Sequence, residues 1–453
     1  IMEVKNMGKK NTLKNFWVRL ESASSTVTGS LIYLKPNFPN GKKEPELVFD
    51  CGTFLDSENK KYNEDFPCKP ANIYAVFITH EHVDHMGRLA GFYNQGYKGK
   101  VFASEYAVQV IKSEAIKNYF FTMKNNEEPK HEEKDAISLI NGCVPIKIGE
   151  IINIDDNVEM VAYNNAHTKG AVMYLITFKY EEHKIRILIT GDYKKRSILG
   201  KSYFPSSKKY KGKITIVTEA TNGTKKKPVA HFKKDLEKSL YEGKSILCSS
   251  AGSERYEDIL YAIKTMQEAG KISSDIPIYL EVKNAFDLSK LNLNVLPFNF
   301  NLVNNSNVRK IALYDKRQKI IVVANYGAFT YYFPNVISKS NWGIFFVNHM
   351  YKGSLAERLM TPRGTIIKYC GKEYKKEATA YHTEEFSAHY YIDEFKELIE
   401  GFLDINAVFL GHGESESKKE LQEEAQKRNG LNVQILKRGE AFKIFEDKIR
   451  HSS

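Results

Sequence analysis

Six apolar, strand-like runs in this chain each lead straight into a histidine, an aspartate or a glutamate. ELVF runs into Asp50, YAVFIT into His80, MVAYNNA into His167, ILITG into Asp192, ITIVT into Glu219 and NAVFLG into His412. One polar residue at a strand end is ordinary. Six of this chemistry require a sheet structure whose one edge gathers them into a site. The densest piece is His80-Glu81-His82-Val83-Asp84-His85. In an extended segment His80 and His82 project to the same side, and a turn at Val83 brings Asp84 and His85 to a neighbouring position. Four nitrogen and oxygen donors within so short a peptide exceed what one tetrahedral ion takes from it. Two ions a few ångströms apart, bridged by a carboxylate, fit the count better. Imidazole and carboxylate without thiolate suit zinc, with manganese or iron as alternatives. A metal-free, His-rich surface loop is the competing reading, and the other strand-end donors argue against it.

The first two hundred residues read as short strands (FWVRL, GSLIYLK, KVFAS, AVMYLITF, IRILIT and those above) with a helix over Glu105–Asn125 and a polar turn at Glu181–Lys184. Ser, Lys, Tyr and Gly dominate Lys201–Lys213, the first expected boundary. Strands then alternate with helices: ITIVTEA, a helix over Val229–Glu242, SILCSS, a helix over Glu254–Ala269, IPIYLE, IIVVANYG, WGIFFVN and a short helix over Ser354–Met360. This alternation predicts a small parallel-sheet unit. Lys372–Glu377 reads as a charged, structureless stretch, followed by helices over Ile392–Leu403 and Lys418–Asn429. The chain has 453 residues, 42% hydrophobic and 27% charged, with a net charge of +12. Those values exclude a disordered or collagen-like chain and weakly favour an anionic partner. No apolar run approaches the roughly 18 residues that cross a bilayer, so no membrane partner is expected, and the N-terminus shows no secretory signal pattern. Five scattered cysteines without a C-x-x-C pair argue against a disulfide framework or a thiolate zinc site, and point to a reducing cytoplasm.

The H-x-H-x-D-H run, with Asp50 upstream and His167 and Asp192 downstream, resembles the metallo-β-lactamase hydrolase superfamily. Glu219 in Val217-Thr218-Glu219-Ala220, His389 in Phe386-Ser387-Ala388-His389 and His412 in Gly411-His412-Gly413-Glu414 resemble motifs A, B and C of its β-CASP branch, which includes ribonuclease J and the cleavage-and-polyadenylation endonuclease. The resemblance covers the chain from about Gly29 onward. It implies an α/β fold: a metallo-β-lactamase αββα sandwich from 1–204 and 379–453, interrupted by a β-CASP parallel-sheet domain over 205–378, with the active site in the cleft between them. It further implies two Zn2+ ions, with Mn2+ as the alternative. His80, His82 and His167 would hold one and Asp84, His85 and His412 the other, with Asp192 bridging and Asp50 fixing a ligand imidazole. Asp84, His389 and Glu219 would be catalytic: Asp84 handling the proton of the attacking hydroxide, His389 meeting the scissile phosphate or the leaving oxygen, and Glu219 holding His389. The implied function is a metal-dependent nuclease acting on single-stranded RNA and leaving 5′-phosphate and 3′-hydroxyl ends, by endonucleolytic or 5′-exonucleolytic attack. DNA, a small ester, or an inactive RNA-binding scaffold are the alternatives, and a homodimer is left open.

This chain departs from the branch's pattern in its insert. Glu254-Arg255-Tyr256-Glu257-Asp258 stands where relatives carry Gly-Arg…Gln-Glu, Gly353-Ser354-Leu355-Ala356-Glu357 where they carry Gly-Thr-Leu-Gly-Arg, and Asn325-Tyr326-Gly327 where Ser-Pro-Gly is usual. Metal chemistry therefore carries over more directly than substrate choice. Charge gives independent support for a polyanion: from Tyr193 to Pro228 there are eleven Lys or Arg and one acid, Glu219. Lys194, Lys195, Arg196, Lys225, Lys226 and Lys227, with Arg255 and Ser387, are the candidate substrate-binding residues. Tyr193, Tyr203, Phe204 and Tyr210 are candidates for stacking on unpaired bases. A solvated Lys-rich linker is the plain alternative. His131, His183, His231, His349, His382 and His451 have no companion ligands and read as structural or solvated.

Overall fold

A run such as Ile73–Phe77 is apolar on both sides, so it needs cover on both faces. Ala75 and Phe77 turn into one core and Val76 and Ile78 into another. The computed structural model describes residues 15–39, 41, 44–124, 131–203, 212–250, 255–281, 291–314, 319–347, 350 and 354–452, without the side chains of 118–124, 255, 325–327 and 428–429. Phe204, Lys208, Lys209, Tyr210, Lys211, Glu254, His349 and Gly353 lie outside the described residues, as do the side chains of Arg255, Asn325 and Tyr326. The chain divides into two compact units, Ile1–Lys226 with Ala388–Ser453, and Lys227–Ser387.

The first unit holds two sheets. An eight-stranded sheet runs, edge to edge, Ile449–Ser452, Ala441–Ile444, Trp17–Ser22, Ile32–Asn37, Glu46–Phe49, Ile73–Phe77, Lys100–Ser104, Cys143–Ile146. A seven-stranded sheet runs Val433–Ile435, Ile405–Leu410, Ile214–Thr218, His183–Ile189, Val172–Tyr180, Val158–Asn164, Ile151–Asn153. Their facing sides interlock through Leu20, Phe49, Phe77, Met160, Tyr174, Ile187 and Phe409. Each is a fully buried side chain whose truncation to alanine costs about 3–5 kcal/mol for the aromatic ones. The outer face of the first sheet is covered by helices Leu89–Asn94, Glu105–Lys124 and Glu133–Gly142. That of the second is covered by Ile392–Glu400 and Ser415–Asn429. The result is an αββα sandwich.

The second unit is a six-stranded sheet, ordered Phe300–Leu302, Ile278–Glu281, Ile321–Asn325, Ser245–Ser250, Trp342–Phe346, Thr379–His382, in which every neighbouring pair is parallel. Helices Phe232–Tyr241 and Arg255–Glu268 cover one face, and Ser306–Tyr314 and Tyr326–Val336 the other. The unit edges differ from the sequence expectation of 205 and 378. ITIVT pairs in parallel with His183–Ile189 and Ile405–Leu410, and so belongs to the first unit. Thr379–His382 pairs with Trp342–Phe346 and so belongs to the second. The Lys372–Glu377 stretch is also not structureless, because Lys372–Lys375 forms a hairpin with Ile366–Tyr369. Its alternating charges lie on a small exposed ladder, which apolar patterning does not reveal. Among the described residues no helix is long and apolar enough to cross a membrane.

Candidate metal centre

Each of the six strand ends delivers its polar residue to one place in the first unit. Asp50 follows Glu46–Phe49 in a left-handed conformation, φ 60°, which is uncommon for a residue with a side chain. That turn lets its carboxylate serve two neighbours: Oδ1 accepts from the Thr79 backbone N–H at 2.8 Å, and Oδ2 lies 2.8 Å from His85 Nδ1. His80 and His82 follow Ile73–Phe77, and the chain then turns into the short helix Val83–Met86, which carries Asp84 and His85. Gly52 makes this turn fit, since a Cβ there would lie 1.5 Å from the Asp84 carbonyl oxygen. Gly191, at φ 58°, precedes Asp192, and a Cβ on it would come within 2.6 Å of Thr79.

The seven ligands expected from the sequence form two groups that meet at Asp192. His80, His82, His167 and Asp192 offer ligand atoms all within 4.8 Å of one another, and so do Asp84, His85 and His412. Asp192 Oδ2 lies 3.7, 3.4 and 3.6 Å from Nε2 of His80, His85 and His167, while Oδ1 lies 3.2 Å from His412 Nδ1. The opposite ring nitrogens are held from outside: His80 Nδ1 by Thr79 Oγ1 at 3.0 Å, His85 Nδ1 by Asp50, and His167 Nδ1 by the Ala388 carbonyl at 3.0 Å. Thr221 Oγ1 approaches His412 Nδ1 at 3.1 Å. Such outer contacts orient an imidazole so that its inner nitrogen faces an ion.

The electrostatics match this arrangement. Burial, then the neighbouring rings of His85, His82 and His167, push His80 well below its usual pKa. Burial alone would raise Asp84, but a hydrogen bond from His412 and the charges of His85, His412 and His82 bring it down to about 2. Asp192 is likewise held well below the usual carboxylate range, because His412, His85 and His389 outweigh its burial. Burial lowers His85, and Asp192 and Asp50 reverse that, holding it well above its usual value. The buried Nε2 atoms of His80 and His85 have no hydrogen-bond partner among the described residues. Such atoms are costly unless something binds them, and a set of imidazole nitrogens and carboxylate oxygens fits a divalent metal.

Beside these groups stands a second pair. His389 Nδ1 lies 2.8 Å from Glu219 Oε2, and Glu219 Oε1 accepts the Tyr193 backbone N–H at 2.7 Å. His389 Nδ1 is also 4.0 Å from Asp192 Oδ2. Of the candidate substrate-binding residues, Arg196, Lys225, Lys226 and Lys227 are exposed. Arg255 begins a helix of the second unit, and Ser387 ends that unit. Lys194 differs from expectation: it is 8% exposed, and its Nζ donates to the His389 carbonyl and to Glu394 Oε2, each at 3.0 Å. Lys195 is drawn to Glu397. Tyr193 is fully buried and presents no face for stacking, whereas Tyr203 is 66% exposed. Thr79, Gly52, Thr221 and Asn222 carry no ligand chemistry by which the sequence alone marks them. Only Thr79, adjacent to His80, had a positional signal. Asp192, Glu219, His389 and His412 also offer ligand atoms all within 4.8 Å of one another, and beyond these three overlapping groups no candidate metal group occurs among the described residues; His183 and His231 instead pair with Glu446 and Asp235.

An αββα sandwich with a His/Asp cluster at its strand ends defines a metallo-β-lactamase-type hydrolase. Two family descriptions match the chain: a Zn-dependent metallo-hydrolase RNA specificity domain over residues 373–436, and the anti-Pycsar protein Apyc1 over residues 33–207. Ribonuclease TTHA0252 of Thermus thermophilus is 24% identical over 87% of this chain and 92% of its own length. Transcription termination factor FttA of Methanosarcina mazei is 21% identical over 61% of this chain and 44% of that protein. Cleavage and polyadenylation specificity factor subunit 3-II of Arabidopsis thaliana is 28% identical over 34% of this chain and 25% of that protein. The chain thus spans nearly all of the first relative and less than half of the other two. The matched RNA specificity domain and these relatives support the β-CASP nuclease family of the metallo-β-lactamase superfamily.

Proposed function

We propose that the protein is a metal-dependent ribonuclease that hydrolyses phosphodiester bonds of single-stranded RNA, leaving 5′-phosphate and 3′-hydroxyl ends. The observation that carries this reading is the meeting of two ligand groups at Asp192, with the His389–Glu219 pair beside them. The ribonuclease relative and the family description over residues 373–436 support RNA as the substrate, as do exposed Arg196 and Lys225–Lys227.

His80, His82 and His167 would hold one ion and Asp84, His85 and His412 a second, with Asp192 between them. Zinc suits the donors, and manganese is the alternative. When bound, the ions supply Lewis acidity, which lowers the pKa of a water molecule and neutralises phosphoryl charge. Asp84, ionised down to a pH of about 2, is always a carboxylate at neutral pH and accepts or orients the proton of the attacking water at Oδ. His389 bonds Glu219 through Nδ1, so Nε2 is the atom that meets the scissile phosphate or hands a proton to the leaving oxygen. Glu219 is a positioning residue, fixing the His389 ring from a carboxylate that the Tyr193 N–H also holds.

The test is incubation with uniformly labelled single-stranded RNA and zinc or manganese, with the Asp84→Asn variant alongside. Metal-dependent cleavage that the variant lacks is the expected result. A ladder of intermediates marks endonucleolytic attack, and mononucleotides without intermediates mark an exonuclease. RNA bound by both proteins but cut by neither would overturn the enzyme reading in favour of a scaffold.

A further inference from the structure

We infer that Lys194 is a positioning residue for His389, clamping the peptide that carries the imidazole, and does not bind substrate phosphate. The inference rests on the reading of His389 as the group that meets the scissile phosphate. A lysine two residues from Asp192, in a stretch so rich in positive charge, invites assignment to the RNA backbone. Its surroundings forbid that. The side chain is 8% exposed, and Nζ donates to the His389 carbonyl oxygen and to Glu394 Oε2 at 3.0 Å each, lying 4.4 Å from the centre of the Tyr391 ring. A buried ammonium with a carboxylate, a carbonyl and an aromatic face around it has its partners inside the fold.

Glu394 makes the clamp double. Its Oε2 also accepts the Tyr391 backbone N–H at 3.1 Å, which caps the helix Ile392–Glu400, and its Oε1 accepts the Lys195 backbone N–H at 3.3 Å. Asn222 supplies a further hold, donating to the His389 and Tyr390 carbonyls at 3.3 and 3.0 Å. Three consecutive residues therefore serve three parts of one site. Asp192 presents its carboxylate to both ligand groups, Tyr193 donates its N–H to Glu219, and Lys194 grips His389. The distance between Asp192 and His389 is set by this one strand end, and the ammonium of Lys194 locks it.

The experiment compares wild type, Lys194→Met and Lys194→Arg as the metal-loaded full chain. Methionine keeps the apolar stem and removes the donor. Arginine keeps a donor for both oxygens. Hydrolysis of bis(p-nitrophenyl) phosphate, a diester too small to reach an extended groove, is expected to fall about 10- to 100-fold in kcat for Lys194→Met with KM unchanged, and to recover in Lys194→Arg. Amide hydrogen exchange over residues 388–391 is expected to quicken in Lys194→Met, with metal content unchanged. The dependence of RNA affinity on salt is expected to stay the same. A salt slope lower by about 0.7, with kcat intact, would mean that Lys194 contacts a phosphate and would overturn the inference. So would unaltered exchange over 388–391, or loss of metal in Lys194→Met. Cleavage of the small diester without cleavage of RNA would sink the RNA reading and leave the clamp standing. Inactivity of the wild type on both substrates would sink the proposed reaction, and the exchange measurement would still read the clamp.

Discussion

His167 Nδ1 lies 3.0 Å from the carbonyl oxygen of Ala388, a residue 221 positions further along the chain. The contact ties a candidate ligand of the His80 group to the backbone of the segment that carries His389. One peptide thus does two things: Ala388 orients an imidazole in the ligand set, and the next residue places the imidazole bonded to Glu219. Removing the His389 side chain leaves the Ala388 carbonyl in place. His389→Ala is therefore expected to lower cleavage about 100-fold or more while metal content stays at the wild-type value, as read by elemental analysis. Loss of metal in that variant would show that the two roles are not separable.

Asp50 acts on the ligands from outside. Its Oδ2 meets His85 Nδ1, and its Oδ1 holds the Thr79 N–H, so one carboxylate fixes both the ring and the turn before His80. Asp50→Asn tolerates the same left-handed backbone but places a neutral amide opposite His85. Metal affinity is expected to drop about 10- to 100-fold, measured by competition with a chromophoric chelator. An unchanged affinity would mean that the contact with His85 carries no weight.

Gly52 is the tightest glycine beside the site. A methyl group there would sit 1.5 Å from the Asp84 carbonyl oxygen and 2.1 Å from its carbon, both backbone atoms with no side chain to swing away. Gly52→Ala must push the turn bearing Asp84 and His85 aside, at a cost of about 1–3 kcal/mol or more. The expected outcome is reduced metal content with far-UV circular dichroism close to wild type. Full metal content would show that the turn can shift without disturbing its ligands.

What could be read from the sequence divides along physical lines. The His80–His85 turn is a local device, and adjacent residues reveal it. So are the strands, whose two-faced apolar runs need cover on both sides. Which sheet a strand joins is decided elsewhere: ITIVT looks the same before a β-α alternation whether it pairs with Ile405–Leu410 or with a strand of the other unit. Lys194 is a second case. A lysine stem packs as readily as it solvates, and only the later residues Tyr391 and Glu394 decide which. Thr221 and Asn222 carry no sign of their roles, because their partners, His412 and the His389 and Tyr390 carbonyls, lie more than 160 residues away.

The five free thiols should separate sharply by reactivity. Cys51, Cys143 and Cys248 are buried, Cys68 is half-buried and Cys370 is exposed. Burial raises Cys51 to about 12 and Cys143 to about 11, and pushes Cys68 and Cys248 up as well. The thiolate is the reactive form, so at pH 8 iodoacetamide is expected to modify Cys370 alone in the folded protein and all five in guanidinium. Rapid labelling of Cys51 in the folded state would show that the Asp50–Gly52 turn opens.

Lys418 gives a pH dependence with a definite sign. It is 1% exposed, and its Nζ donates to the Ser25 carbonyl oxygen at 2.5 Å. Burial lowers its pKa from 10.5 to about 8, with Glu414 opposing the shift and Lys437 adding to it. In the unfolded chain the same amine holds its proton to about pH 10.4. Between those limits the unfolded state binds more protons than the folded one, so stability from this group rises with pH, by about 3 kcal/mol across the window. Below pH 8 both states are protonated and the contribution is flat. Urea unfolding of wild type and Lys418→Met at pH 7, 8.5 and 10 reads this directly, because other titrating groups cancel in the difference. Wild type is expected to gain on the variant as pH rises from 8 to 10. A difference independent of pH would mean that Lys418 keeps its ordinary pKa, and that the Ser25 carbonyl compensates its burial in full.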